Sequence, residues 1–153
     1  MKNDLSSESI NAVFGITDKD IRTYSPQTLA FIGDVVFDLI IRTMLVNEGN
    51  RGVNGLHKDK SALVNANTQA FMAEHFSEIL SEEEMDIYRR GKNTKTASHA
   101  KNAGLSAYQK ATGFEALLGY LYLTGQNERL FEVVKLSLSK LKKQETDYNT
   151  PAQ

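Results

Sequence analysis

Apolar residues recur along this chain at three- and four-residue intervals, and no segment alternates with period two for long enough to form a strand. The pattern predicts an all-helical protein. A short helix is expected over Ser6 to Phe14, ended by Gly15. Ser25-Pro26 reads as an N-cap followed by proline at the first helical position, opening a long helix to about Glu48, where Gly49 stops it. On its wheel Leu29, Ile32, Val36, Leu39, Ile40 and Thr43 form one broad apolar face, opposite Phe31, Asp34, Asp38 and Arg42. Phe37, Ile41 and Leu45 widen that coverage, as expected of a central helix or one at a subunit interface. A loop over Asn50 to Gly55 leads to a helix from about Leu56 to Phe76, with Leu63, Ala66, Ala70 and Phe71 inward and His57, Lys58, Lys60, Asn65, Asn67 and Gln69 outward. Ser81 with Glu84 is a capping box that starts a helix running to about Arg90 and ending at Gly91. Lys92 to Ser106 reads as a long polar loop. A second strongly apolar helix covers about Tyr108 to Leu123, and a last amphipathic helix extends to about Lys143 before a frayed tail.

Composition narrows the class. The 153 residues suffice for one domain with a substantial core, and 24% charged against 41% apolar residues is ordinary for a globular protein. No apolar run reaches membrane-spanning length, and the first residues lack the basic and apolar parts of a signal peptide. Cysteine is absent, which excludes disulfides and thiolate metal sites and fits a cytoplasmic setting. The net charge of −1 carries no message about nucleic acid, but its distribution does. No acid lies between Asp86 and Glu115, an interval that holds Arg89, Arg90, Lys92, Lys95, Lys101 and Lys110. Such a basic segment suits local binding of a polyanion.

The chemistry-bearing positions are two carboxylates set into apolar helices. Asp34 lies in Leu29-Ala30-Phe31-Ile32-Gly33-Asp34-Val35-Val36, and Glu115 in Gly113-Phe114-Glu115-Ala116-Leu117-Leu118-Gly119-Tyr120-Leu121-Tyr122-Leu123. Two apolar helices that each bring one acid to a shared core would suit a hard cation and metal-assisted hydrolysis. Spacing alone leaves a second reading open for each. Asp34 also fits a helix-side acid paired with a distant cation, and Glu115 an acid favoured by the helix dipole. Asp38 reads as structural, because Arg42 four residues on can neutralise it. His57, His75 and His99 have no zinc-site spacing, and no nucleophile-elbow, phosphate-loop or zinc-protease motif occurs. Tyr108, Tyr120 and Tyr122 read as packing residues rather than a base-stacking platform.

The two acid-bearing runs, in this order and about eighty residues apart, resemble the signature helix and second catalytic helix of the ribonuclease III family. The resemblance covers roughly Tyr24 to Lys142, and the chain ends where a double-stranded RNA-binding domain would be expected. It is therefore most similar to the short branch of the family without that domain. Gly55-Leu56-His57-Lys58 and Arg89-Arg90-Gly91-Lys92-Asn93 add to the likeness. The resemblance implies an all-α ribonuclease III-type endonuclease domain over residues 23–145, between an N-terminal extension of residues 1–22 and a flexible tail of residues 146–153. It implies a homodimer that cleaves double-stranded RNA with Mg²⁺, or Mn²⁺ in its place, leaving 5′-phosphate and 3′-hydroxyl ends. The implied substrate is the precursor of large-subunit (23S) ribosomal RNA. Asp34 and Glu115 are then the catalytic metal ligands. Lys92, Lys95 and Lys101, followed by His57 and Lys58, are the candidate RNA contacts. Two acids of longer family members are replaced, by Ala30 and Thr112, and Thr112 is expected to support the metal through a water. A catalytically inactive RNA-binding helical dimer is the alternative, and a helical protein-interaction module a further one.

Overall fold

The computed structural model describes the backbone of residues 3–94 and 103–149, and the side chains of residues 3–94 and 104–142. Eight α-helices form it among the described residues: α1 Ser7–Phe14, α2 Pro26–Asn47, α3 Val53–Leu63, α4 Ala66–Ala73, α5 Phe76–Ile79, α6 Glu82–Lys92, α7 Ala103–Leu123 and α8 Asn127–Asn149, with a short 3-10 turn at Ile21–Thr23. The described residues contain no strand, as the periodicity predicts. No described helix is long and apolar enough to cross a membrane.

α7 is the hub. It packs most extensively on α2, then on α6 and α4, and more lightly on α8 and α1. Phe114, Ala116, Leu117, Leu118 and Leu121 are fully buried on it, so its apolar run is a core helix wrapped on several sides. Aromatic rings lock its neighbours together: Phe37 of α2 meets Phe114 edge-on at 5.0 Å, Phe76 stacks on Phe114 at 5.7 Å, and Tyr88 of α6 meets Phe76 edge-on at 5.0 Å. α8 closes the core with Leu130, Val133 and Val134, and Arg129 anchors its start. That guanidinium holds Glu84 at 2.8 Å through both Nε and Nη2 and donates to the Ile79 carbonyl at 2.7 Å.

Several starts and stops form as the local chemistry predicts. The Ser25 hydroxyl accepts from Thr28 N–H, the Ser81–Glu84 capping box is reciprocal, and Gly15 caps α1 with φ 66°. Four boundaries differ. The helix expected over Leu56 to Phe76 is broken twice, at Glu74–His75 and, before that, at Asn65, which starts a new helix: its side chain accepts from Thr68 N–H and donates back to the Ser61 and Ala62 carbonyls. Gly91 lies inside α6 rather than ending it. A Cβ there would meet Ala116 Cβ at 2.8 Å and Gly113 Cα at 2.9 Å, so this glycine serves close helix packing. α7 begins at Ala103, five residues before Tyr108, and Lys92 belongs to α6 rather than to a loop. α8 continues past Lys143 to Asn149, where Lys143, Gln144 and Glu145 are good helix formers outside the amphipathic pattern.

The buried face of α2 also differs from the wheel. Leu29, Gly33, Val36, Phe37, Ile41 and Leu45 face the core, whereas Leu39 is 50% exposed. Gly33 draws α7 onto its own side of α2 and turns Leu39 away.

Candidate metal-binding site

Backbone contact between α2 and α7 builds the site. A Cβ on Gly33 would fall on the Glu115 carbonyl oxygen and within 2.8 Å of Gly119 N, and a Cβ on Gly119 would fall on the Leu29 carbonyl oxygen. Only glycine at both positions lets two helices touch so closely. Asp34 directly follows Gly33, and the Gly33 contact falls on the backbone of Glu115 itself. The two acids, remote in sequence, therefore reach one pocket of about 190 Å³, lined by Asp34, Asn65, Gln69, Tyr108, Thr112 and Glu115 with Val64, Ala66 and Ala111.

Its electrostatics are unbalanced. Asp34 is exposed and Glu115 half-buried. Burial first, and the Asp34 charge second, push the Glu115 carboxyl up to about 7, against a smaller opposing effect of the Gln69 side chain. No ion pair to either acid occurs among the described residues. The nearest lysine in sequence, Lys110, turns to Glu74 at 3.7 Å. Asp38 is paired elsewhere: Arg42 Nε donates to Oδ2 at 2.8 Å, and Lys60 Nζ lies 3.9 Å from Oδ1, which accepts no hydrogen bond among the described residues. Two carboxylates that repel one another in a half-dry pocket fit a hard divalent cation, which Mg²⁺ satisfies with one or two carboxylates and retained waters. No cluster of three or more acidic, histidine or cysteine side chains suited to a metal occurs among the described residues, in line with Ala30 and Thr112 at the replaced positions.

Thr112 lies on the pocket wall, and its hydroxyl donates to the Tyr108 carbonyl at 3.0 Å. With its proton so committed, Oγ1 presents lone pairs to the pocket. His57 and Lys58 are exposed on α3, and Lys92 is half-buried at the end of α6; none lines the pocket. Lys95, Lys101 and His99 lie outside the described residues. Tyr120 and Tyr122 are packing residues as expected, their hydroxyls donating to Glu83 at 2.6 Å and to the Leu5 carbonyl at 2.7 Å. Tyr108 instead stands exposed at the pocket. The residue that sequence reasoning misplaced is Gln69, expected outward and found 3% exposed in the pocket wall. The new helix started by Asn65 resets the register and turns Gln69 inward.

A helical domain whose two most apolar helices converge on a carboxylate pocket defines the class, an endonuclease domain of the helical kind. Residues 27–126 match the Ribonuclease III domain family. A Mini-ribonuclease 3 of Thermoanaerobacter sp. is 48% identical over 80% of this chain and 87% of its own length. That of Clostridium tetani is 40% identical over 80% and 82%. The crystal structure of a Fusobacterium nucleatum protein superposes with a TM-score of 0.71 at 31% identity, covering 80% of this chain and 99% of that one. The chain belongs to the ribonuclease III family, and it is an endoribonuclease.

Proposed function

We propose that this protein is a Mg²⁺-dependent endonuclease of double-stranded RNA in which Asp34 and Glu115 hold the ion, with Mn²⁺ able to substitute. The observation that carries the reading is the pocket itself: two carboxylates joined through glycine-mediated backbone contact, with no described cation paired to them. When bound, the ion supplies Lewis acidity, activating water and stabilising charge on the scissile phosphate. The protein's own part is positional. α2 and α7 fix the two carboxylates, and Thr112 Oγ1, already a donor to Tyr108, accepts a hydrogen bond from water in the pocket. Water attacks phosphorus in line, the P–O3′ bond breaks, and 5′-phosphate and 3′-hydroxyl ends result.

Duplex RNA is read by its A-form shape, 2′-hydroxyls and phosphates. Lys92, Lys95 and Lys101, with His57 and Lys58 second, are the proposed backbone contacts. A homodimer is supported by Phe31, Val35 and Leu39, which are 79%, 59% and 50% exposed at four-residue steps along α2, an apolar stripe that runs beside Asp34. Such a dimer directs one site at each strand. Residues 23–145 are taken as the endonuclease domain. The proposed substrate is precursor 23S ribosomal RNA, in the cytoplasm.

The replacement of two family acids by Ala30 and Thr112 favours one second reading, an inactive RNA-binding dimer. A cleavage assay on duplex RNA with Mg²⁺ separates the two. The enzyme reading predicts that wild type cuts while Asp34→Asn and Glu115→Gln bind without cutting. A wild type that binds duplexes but cuts none selects the second reading.

A further inference from the structure

Gln69 is buried to 3% exposure, yet its amide Nε2 has no hydrogen-bond partner among the described residues. A leucine of similar volume would fill the space with no polar atom to satisfy, and buried amides left without a partner are uncommon in folded proteins. The orphan belongs to a particular place: Gln69 lines the pocket of Asp34, Thr112 and Glu115, and its side chain stands beside the Glu115 carboxylate. Its location is built rather than incidental. Asn65 caps α4 through Thr68 N–H at 2.9 Å, Gln69 N–H closes the first turn on the Asn65 carbonyl at 3.0 Å, and α4 packs along α7.

We infer that Gln69 is a positioning residue for Glu115, its amide donating to the Glu115 carboxylate and holding it turned toward Asp34 when the divalent site is filled. This rests on the reading that Asp34 and Glu115 form that site. The amide touches neither the phosphate nor, in this role, the ion. It acts through Glu115, as groups that orient metal-binding carboxylates do elsewhere. A neutral donor suits the position, because a lysine there would compete with the cation for the carboxylates, and a carboxylate would add a third like charge to a pocket already short of compensation.

The test is Mn²⁺ binding to the RNA-free protein, read from loss of the free-ion electron paramagnetic resonance signal, with thermal melting alongside. Gln69→Leu is expected to melt no lower than wild type, since an unsatisfied amide is removed, and to bind Mn²⁺ about 10-fold or more weakly. Wild-type Mn²⁺ affinity in Gln69→Leu overturns the inference, as a merely structural glutamine would leave it unchanged. Should Gln69→Leu fail to fold, Gln69→Asn decides: its amide is one methylene short, so weakened binding supports the role and wild-type affinity overturns it. Glu115→Gln separates this inference from the reading beneath it. If Glu115→Gln loses Mn²⁺ but Gln69→Leu keeps it, only the role of Gln69 falls; if Glu115→Gln binds as wild type, the site itself is refuted.

Discussion

Gly33→Ala would test the contact that brings the two acids together. The added methyl would lie on the Glu115 carbonyl oxygen, 2.7 Å from the Glu115 carbonyl carbon and 2.8 Å from Gly119 N. All three obstacles are backbone, so no side chain can rotate away. Ordinary contact distances require α2 and α7 to part by about 1 Å or more, which forfeits much of the dispersion energy across the most extensive helix interface in the fold. Overpacking of a well-packed core costs ~1–3 kcal/mol and more where the surroundings cannot yield. Better helix propensity returns at most about 1 kcal/mol. With only backbone to yield, the cost sits at the top of the overpacking range or above it, and a net loss of about 2 kcal/mol or more corresponds to a Tm drop of at least roughly 4–8 °C for a chain of this size. Because the clash falls on Glu115 itself, Mn²⁺ affinity and RNA cleavage should decline together. Gly104→Ala is the control: it lies in α7, the helix that Gly33 contacts, its Cβ meets nothing within 4 Å, and it should be neutral or slightly stabilising. Calorimetry of both variants settles the matter, and a Gly33→Ala protein as stable and as active as Gly104→Ala would refute the packing argument.

Stability without metal should depend on Glu115. Below about pH 4.5 its carboxyl is protonated in both folded and unfolded chains; above about 7 it is ionised in both, and the folded chain bears the full cost of burial beside Asp34. The folded state thus holds the extra proton in between, and stability falls as pH rises through that window, by at most about 3 kcal/mol. Melting curves in chelator should show this fall in wild type and lose it in Glu115→Gln; equal slopes in both would contradict the assignment. Arg129→Leu should cost about 3 kcal/mol in urea unfolding, because it strands a Glu84 carboxylate that is 6% exposed. Since Arg129 holds the Glu84 carboxyl below its ordinary range, that contribution is present at neutral pH and lost on acidification, so the gap between wild type and variant should narrow in acid. Lys58→Ala and Lys92→Ala should each weaken duplex RNA binding at low salt and reduce the salt dependence by roughly one counterion; unchanged slopes would remove those lysines from the interface.

What the sequence made legible is tied to local chemistry. An acid inside a long apolar run stands out, so Asp34 and Glu115 could be singled out with a structural reading still open for each, and the fold brings both to one pocket. Caps at Ser25 and Ser81 and the left-handed stop at Gly15 depend on residues within a turn of each other. The features that escaped depend on partners distant in sequence. Gly91 looks like a helix stop and is instead the spot where α6 meets Gly113 and Ala116 of α7. Leu39 and Phe37 both extend the apolar character of α2, and only the approach of α7 at Gly33 decides which one is buried. Gln69 was hidden by a smaller event. One asparagine cap at residue 65 divides an otherwise continuous helical pattern, and the helix it starts buries Gln69, Met72 and Ala73 along with the expected Ala70. The signal was present in Asn65-Ala66-Asn67-Thr68, a cap sequence inside a run whose periodicity outweighed it.

The central claim is one divalent ion shared by Asp34 and Glu115, and the most direct measurement is an anomalous difference map from crystals grown with Mn²⁺. A peak bonded to both carboxylates in the pocket beneath Thr112, and absent from Glu115→Gln crystals, is the predicted result. A peak that engages neither acid, or that persists unchanged in the variant, would contradict it.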